Sequence, residues 1–244
     1  MKIKALILAA GYGTRLYPLT LNKAKPLIQV GKKTIIDHLL EGLNTISDID
    51  TIYVVTNNKF FKDLKEWAQQ ANNHKIMVLN DGTLDNEDRL GSIGDINFVI
   101  QKENLNDDLL VIAGDNLFGF KLRDFVNFFK EKNTSILAFR DLQDIEKVKK
   151  RFGVGILKGD KVMDMEEKPE KPKSSLAATA CYLFKAEDLQ FVGKLVKENN
   201  SDAPGNLTVR IVRDSVLHAF VFEEHWFDIG SHENLTEARK IYEN

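Results

Sequence analysis

Six consecutive apolar residues, Ala5–Ala10, lie near the start of the chain and stop abruptly at a glycine turn. Ile3–Leu8 within this region reads as a first buried strand. The period then changes. Ile35, Ile36, Leu39, Leu40 and Leu43 recur at helical spacing, and Thr34-Ile35-Ile36-Asp37 has the form of a capping box with Asp in place of Glu. Ile52–Val55 predicts a second strand. Phe60, Phe61, Leu64, Trp67, Ala68 and Ala71 form the stripe of a second helix, and Ile76–Leu79 predicts a third strand. A polar loop from Asn80 to Arg89 leads into a helix from about Leu90 to Gln101. Leu109–Ala113 is apolar throughout, as expected of a central strand covered on both faces. Leu122, Phe125, Val126 and Phe129 mark the next helix, and Ser135–Phe139 another strand. Strand and helix alternate, which predicts a doubly wound α/β fold with a mostly parallel, Rossmann-like sheet and right-handed crossovers.

The second half is richer in strands. Gly153–Leu157, Lys161–Glu166 and Ala177–Phe184 read as strands, with a Gly159-Asp160 turn between the first two. Leu189, Val192, Leu195 and Val196 mark a helix, Asn199–Gly205 a loop, and Val216–Phe222 a strand. Trp226-Phe227-Asp228-Ile229-Gly230 precedes a helix from about Ser231. The charged stretch Asp144–Arg151 reads as a solvated helix face. No repeat or low-complexity linker divides the chain, so a single domain over 1–244 is expected, changing character near residue 140.

Composition narrows the function. A chain of 244 residues suits one large α/β domain or two small ones. The net charge of −2 gives no nucleic-acid footprint. Cys181 is the single cysteine, which excludes a disulfide framework and a thiolate metal cluster. Lys2 and Lys4 ahead of Ala5–Ala10 faintly resemble a signal peptide, but a first buried strand explains the short run better. No segment approaches the ~18 apolar residues of a membrane span. A cytoplasmic protein is expected.

The chemistry gathers around Gly11-Tyr12-Gly13-Thr14-Arg15. A dinucleotide fingerprint needs glycine at 16, and a Walker A loop needs Gly-Lys at 16 and 17; the residues there are Leu16 and Tyr17. The turn alone is therefore either a tight strand-to-loop connection or a cradle for phosphate. Arg15 and Lys25 add two cations beside it. Asp115 follows an apolar strand, at the sheet edge where ligands bind in open α/β folds. Asp228 is flanked by Phe227 and Ile229. Singly, each is a turn residue, a cap or a ligand. Together they can hold a hard divalent cation. Without one, two such charges about 4 Å apart repel by about 4 kcal/mol at an effective dielectric of about 20. Glu166-Glu167-Lys168-Pro169 is either a charged loop after a strand or a carboxylate and ammonium for a sugar hydroxyl and a phosphate.

Leu8-Ala9-Ala10-Gly11-Tyr12-Gly13-Thr14-Arg15-Leu16 with Pro18-Leu19-Thr20 and Lys25-Pro26-Leu27 resembles the signature of the sugar-1-phosphate nucleotidyltransferases, nearest the glucose-1-phosphate thymidylyltransferase type. Gly114-Asp115-Asn116, Glu167-Lys168-Pro169 and Asp228-Ile229-Gly230 follow in the order of that family. The resemblance spans nearly the whole chain. It implies a nucleotide-diphospho-sugar transferase fold, with a nucleotide-binding half to about residue 140 and a sugar-phosphate-binding half beyond. It implies that Leu8, Ala9, Ala10, Gly11, Gly13 and Thr14 wrap the nucleotide, that Arg15 and Lys25 are catalytic at the phosphates, and that Asp115 and Asp228 hold Mg²⁺. Leu90-Gly91-Ser92 resembles the stretch that approaches the base, and Asn80, in the loop before it, is expected on the nucleotide side with Gly91 and Ser92. Gly114, Asn116, Phe152, Gly153, Glu167, Lys168, Ala178 and Thr179 match positions on the sugar-phosphate side.

The implied reaction is transfer of a nucleotidyl group from a nucleoside triphosphate, dTTP or UTP favoured, to a sugar-1-phosphate, with release of pyrophosphate. Three departures bear on it. Asn80-Asp81-Gly82 and a polar insertion through Arg89 replace the family's glutamine-proline loop, which leaves the base open. Phe152 stands where a tyrosine is common, and Asn206–Val212 differs from the usual segment. A cytidylyltransferase acting on a non-sugar phosphate and a non-catalytic nucleotide-binding subunit are the alternatives. No nucleic acid or membrane partner is expected. The chain ends soon after Asp228 with no C-terminal β-helix, so the expected state is a monomer or small homo-oligomer.

Overall fold

The computed structural model describes residues 2–243; Met1 and Asn244, the ends of the expected domain, lie outside the described residues. In chain order the elements are β1 (Ile3–Leu8), β2 (Gln29–Val30), β3 (Lys33–Thr34), α1 (Ile35–Asn44), β4 (Ile49–Thr56), α2 (Phe61–Gln70), β5 (Ile76–Asn80), α3 (Ser92–Glu103), β6 (Asp108–Ala113), β7 (Asn116–Phe118), α4 (Leu122–Lys132), β8 (Ser135–Asp141), α5 (Ile145–Val148), β9 (Val154–Lys158), β10 (Lys161–Glu166), β11 (Leu176–Phe184), α6 (Gln190–Lys197), α7 (Gly205–Asp214), β12 (Leu217–Phe222), β13 (Trp226–Asp228) and α8 (His232–Tyr242).

The large sheet runs β5-β4-β1-β6-β11-β8-β12-β10-β9. Its first four strands are parallel, as the alternating pattern predicts. The second half is mixed. β11 lies antiparallel between β6 and β8, β12 is parallel to β8, and β10 and β9 continue antiparallel. The sheet is therefore less uniformly parallel than expected. β11 enters its middle from late in the chain, and a run of apolar residues does not reveal strand direction.

Alternate residues of β1 face opposite layers, as strand geometry requires. Ile3, Ala5 and Ile7 pack with the apolar stripes of α1, α2 and α4. Leu6 packs with those of α3, α6 and α7. The N-terminus of α1 carries the expected capping box: Thr34 Oγ1 accepts from the Asp37 amide, and the Asp37 carboxylate accepts from the Thr34 amide at 3.0 Å.

Two expectations change. The stretch Asp144–Arg151 forms only the single turn α5, capped by the Asp144 side chain and anchored by a fully buried Val148 rather than lying wholly in solvent. α7 has no counterpart in the sequence reading. Its first residues, Gly205 and Asn206, are poor helix formers, and Thr208, Val209, Ile211 and Val212 are β-branched. Packing of Leu207 and Ile211 into the core carries it. Among the described residues, no helix is long and apolar enough to cross a membrane.

Candidate active site

The parallel strands β1 and β6 end side by side, and the chain turns away from both at small residues. After Leu8 the backbone is pinned to β4: the Ala9 amide donates to Val55 O at 2.8 Å, and Asn57 Nδ2 donates to Ala10 O at 2.8 Å. Gly11 then faces open space, with no atom within 4 Å of the position a Cβ would take. Gly13 has φ 63°, a left-handed conformation that suits glycine. Its carbonyl accepts from Thr20 Oγ1 at 2.7 Å. At the end of β6, the Gly114 amide donates to Leu8 O at 2.8 Å. A side chain on Gly114 would strike Leu8 O and Pro26. These turns wall a cavity of about 420 Å³. Leu8, Ala9, Ala10, Gly11, Gly13, Thr14, Arg15, Lys25, Ser92, Gly114 and Asp115 all line it.

One end of this cavity is charged. Lys25 Nζ donates to Asp115 Oδ2 at 2.5 Å, and Asn116 Nδ2 donates to Asp115 Oδ1 at 2.8 Å. Burial alone would push the Asp115 carboxyl up. The Lys25 charge and the hydrogen bonds from Lys25 and Asn116 outweigh it and hold the group below its ordinary range. Asp228 goes the other way: burial, then the charge of Asp115, raises it to about 6 despite Lys25, Arg15 and Arg151. The Arg15 guanidinium closes this end, with one nitrogen 3.4 Å from the place a Cβ on Gly230 would occupy.

A short ribbon brings the two carboxylates together. β13 pairs antiparallel with β7, Asp228 opposite Asn116, and the Ile229 amide donates to Asp115 O at 2.9 Å. Asn116 was expected on the sugar-phosphate side. Instead it is buried, and both ends of its amide are taken: it donates to Asp115 and accepts from Trp226 Nε1 at 2.7 Å. Its geometry orients Asp115. Phe152 packs on Trp226, with ring centroids 4.9 Å apart, and the Arg151 guanidinium lies over Phe152.

A second cluster adjoins the cavity. Glu167 sits between Gly153 and Gly205, and a Cβ on either glycine would run into Glu167 Oε2. Burial raises the Glu167 carboxyl against the opposing pull of Lys168. Lys168 is exposed, has φ 47°, and places Nζ 3.8 Å from Glu167 Oε1. Ala178 packs beside Gly153, whose carbonyl accepts from the Ala178 amide at 2.8 Å. Thr179 is not available to a ligand through its hydroxyl: it is buried and donates to Ala138 O at 2.8 Å. β11 joins the two clusters, because Ala180 and Tyr182, farther along the same strand, line the main cavity. Pro204, one residue before Gly205, lines it too.

The end of the cavity away from Asp115 departs most from expectation. Asn80 does not line it; its side chain donates to Asn58 Oδ1 at 2.9 Å and accepts from the Gly82 amide. Gly91 begins α3 with φ 77°, pressed against the backbone of Ser201 and Asp202. Ser92 and Ile93 donate their amides to Asp202 O and Ser201 O, so the segment around 201 closes this helix start. Asp95 lines the cavity instead, with Asn86 and Arg89. Sequence reading did not single out Asp95, because an Asp in the first turn of a helix ordinarily serves the helix dipole.

Comparison with known proteins identifies the family and the fold. A family model described as nucleotidyl transferase matches residues 4–244. A protein of Sulfolobus acidocaldarius, named provisionally as a mannose-1-phosphate guanyltransferase, is 31% identical over 232 residues, 93% of this chain and 60% of the relative. A glucose-1-phosphate adenylyltransferase of Clostridium novyi is 30% identical over 96% of this chain and 65% of its own length. The chain thus spans less than two thirds of these curated relatives. Among solved structures, a Bacillus anthracis protein named provisionally as a glucose-1-phosphate thymidylyltransferase, in complex with sucrose, superposes with TM-score 0.85 at 26% identity, covering 99% of this chain and 96% of that one. A UDP-glucose pyrophosphorylase solved with UDP-glucose shares the fold, with TM-score 0.83 at 21% identity over 99% of this chain and 98% of its own.

Proposed function

The chain belongs to the nucleotidyl transferase family, and we propose that it transfers a nucleotidyl group from a nucleoside triphosphate to a sugar-1-phosphate, releasing pyrophosphate. One observation carries this reading. Arg15 and the Lys25–Asp115 pair meet at one end of a cavity whose wall is a glycine turn open at Gly11, and Asp228, behind that lining, feels the charge of all three. The motifs of the thymidylyltransferase type favour dTTP or UTP as donor. The domain divides by task near residue 140, the first part holding the nucleotide and the second the sugar phosphate.

The nucleophile is a phosphate oxygen of the sugar phosphate, already an anion, so no strong general base is required. It attacks the α-phosphorus, and pyrophosphate leaves. Backbone amides of the turn and Arg15 take the outer phosphates, and Lys25 neutralises charge at the α-phosphate. Lys168 brings in the second anion, which the first would otherwise repel. Glu167 accepts from sugar hydroxyls, positioned by the space that Gly153 and Gly205 leave.

Asp115 and Asp228 fit a hard divalent cation such as Mg²⁺. Asp228 is raised because its charge is buried beside that of Asp115, a cost that a cation between them removes. Among the described residues no group of three or more His, Cys, Asp or Glu joins at this place. Water and phosphate oxygens would complete the shell. When bound, the ion supplies charge neutralisation and alignment of the phosphates for in-line displacement.

The test is pyrophosphate release from dTTP, UTP, CTP, ATP and GTP, each against sugar-1-phosphates and other phosphomonoesters. A productive pair that includes a sugar-1-phosphate is expected, and Asp115→Asn and Arg15→Ala should each lower turnover by about 10²–10³. CTP with a non-sugar phosphomonoester as the productive pair would replace this reading with the cytidylyltransferase one. Near-normal kcat in both variants would overturn the assigned roles.

A further inference from the structure

Among the described residues, two buried side-chain oxygens lack any hydrogen-bond partner: Asp81 Oδ2 and Asp95 Oδ1. They belong to neighbouring carboxyls: Asp95 lines the nucleotide cavity, and Asp81 stands beside it. Asp81 stands just after β5, Asp95 in the first turn of α3, and the two side chains lie within hydrogen-bonding reach of each other. The other oxygen of Asp81 is spent, accepting from the Thr83 amide at 2.7 Å and Thr83 Oγ1 at 2.8 Å. Thr83 Oγ1 is in turn 3.3 Å from Tyr12 Oη, so the network is tied into the glycine turn.

Buried oxygens without donors are rare, and one at a ligand cavity calls for a proton or a ligand. A single proton held between the carboxyls satisfies Asp81 Oδ2 and Asp95 Oδ1 together. The Asp95 carboxyl is raised to about 8, by burial and then by the charge and hydrogen bond of Asp81, so it holds that proton at neutral pH. What remains toward the cavity is the second oxygen of Asp95, a hydrogen-bond acceptor. Phosphates do not go there: Arg15 and Lys25 lie with Asp115 at the other end, Arg89 is paired with Asp202 at 3.4 Å, and an acid pair repels anions. The uncharged part of the nucleotide does. Ser92, a donor through its hydroxyl, lines the cavity with Asp95.

We propose that Asp95, backed by Asp81, determines nucleobase specificity by accepting the ring N–H of a lactam base. Uracil, thymine and guanine each present such an N–H beside a carbonyl, and Ser92 is the donor for that carbonyl. Adenine and cytosine present a ring nitrogen that is itself an acceptor, and it would face the Asp95 oxygen without a proton between them. The inference rests on the proposed function only in taking the triphosphate to Arg15 and Lys25.

Equilibrium binding separates the two. Calorimetry with the full chain, Mg²⁺ and each of the five triphosphates should show UTP, dTTP or GTP bound about tenfold or more tighter than ATP and CTP. Replacing the favoured nucleotide by 3-methyl-UTP, 3-methyl-dTTP or 1-methyl-GTP should cost about tenfold or more, because the methyl group removes the N–H. In Asp95→Ala the parent and methylated nucleotides should bind within about twofold of each other. Should that variant not fold, Asp95→Leu makes the same comparison, since it keeps the volume of the side chain and removes the acceptor. A wild-type preference for ATP or CTP, or an unchanged preference in a folded Asp95 variant, overturns the inference. Lactam preference without pyrophosphate release in any pairing overturns the proposed function alone. Absence of any nucleotide binding overturns both.

Discussion

Asp228→Asn should stabilise the metal-free protein while disabling it. The substitution keeps the size and shape of the side chain and removes its charge. In the fold, burial and then Asp115 drive the Asp228 carboxyl from 3.8 to about 6. At about 1.36 kcal/mol per tenfold change in proton affinity, the charged form destabilises the fold by about 3 kcal/mol relative to an unperturbed carboxyl. Because the native group is raised, the native state binds the proton more tightly than the unfolded chain does. The stability this confers is fully present below about pH 4 and is lost as pH rises through about 6. Asparagine does not titrate, so the variant escapes the loss. Denaturant unfolding in EDTA should find variant and wild type alike near pH 4 and the variant about 3 kcal/mol more stable near pH 7. In a chain of this size that is about 6–12 °C in Tm. With Mg²⁺, wild type should gain stability and Asp228→Asn should gain far less. Turnover should fall by about 10²–10³. A variant less stable than wild type near pH 7, or a gap of the same size at both pH values, would refute the account.

Other perturbations address other parts of the site. Lys168→Ala should mainly raise KM for the sugar phosphate, and Lys25→Ala should mainly lower kcat; steady-state kinetics showing the reverse would refute the division of roles. Gly205→Ala puts a methyl group where Glu167 Oε2 lies. The flexible carboxylate must swing aside, so KM for the sugar phosphate should rise several-fold with Tm nearly unchanged. A large fall in Tm would mean that the crowding falls on the backbone of α7. Trp226→Phe leaves the buried Asn116 Oδ1 without its donor, and unfolding should register about 1–3 kcal/mol of lost stability. No loss would mean that Asn116 finds another donor.

Much of the first half was legible because each of its elements buries one face against the sheet. β1 covers Ile3–Leu8 as its buried pattern predicts, and the Thr34–Asp37 cap of α1 is written in adjacent residues. What escaped depends on partners far apart in sequence. β11 runs against β6 and β8, and its residues do not reveal that direction. α7 is held by Leu207 and Ile211 in the core, against local propensity. The cavity residues were visible as motifs, but side-chain commitments were not. Asn116, Thr179 and Asn80 have types that suit ligand binding, yet each spends its polar atoms on a neighbouring part of the protein. Asp95 looked like an ordinary first-turn acid and faces the cavity instead.

The β7–β13 ribbon also sets a schedule for synthesis. The glycine turn, Lys25 and Asp115 all emerge from the ribosome in the first half of translation, and the parallel strands that carry them can already pair. Asp228 arrives about a hundred residues later, together with Trp226, which fixes Asn116. Until then Asp115 has Lys25 as a partner and no second carboxylate. The half-made chain therefore carries two cations, Arg15 and Lys25, against one carboxylate at this place, and the second carboxylate is in position only when the last strand docks.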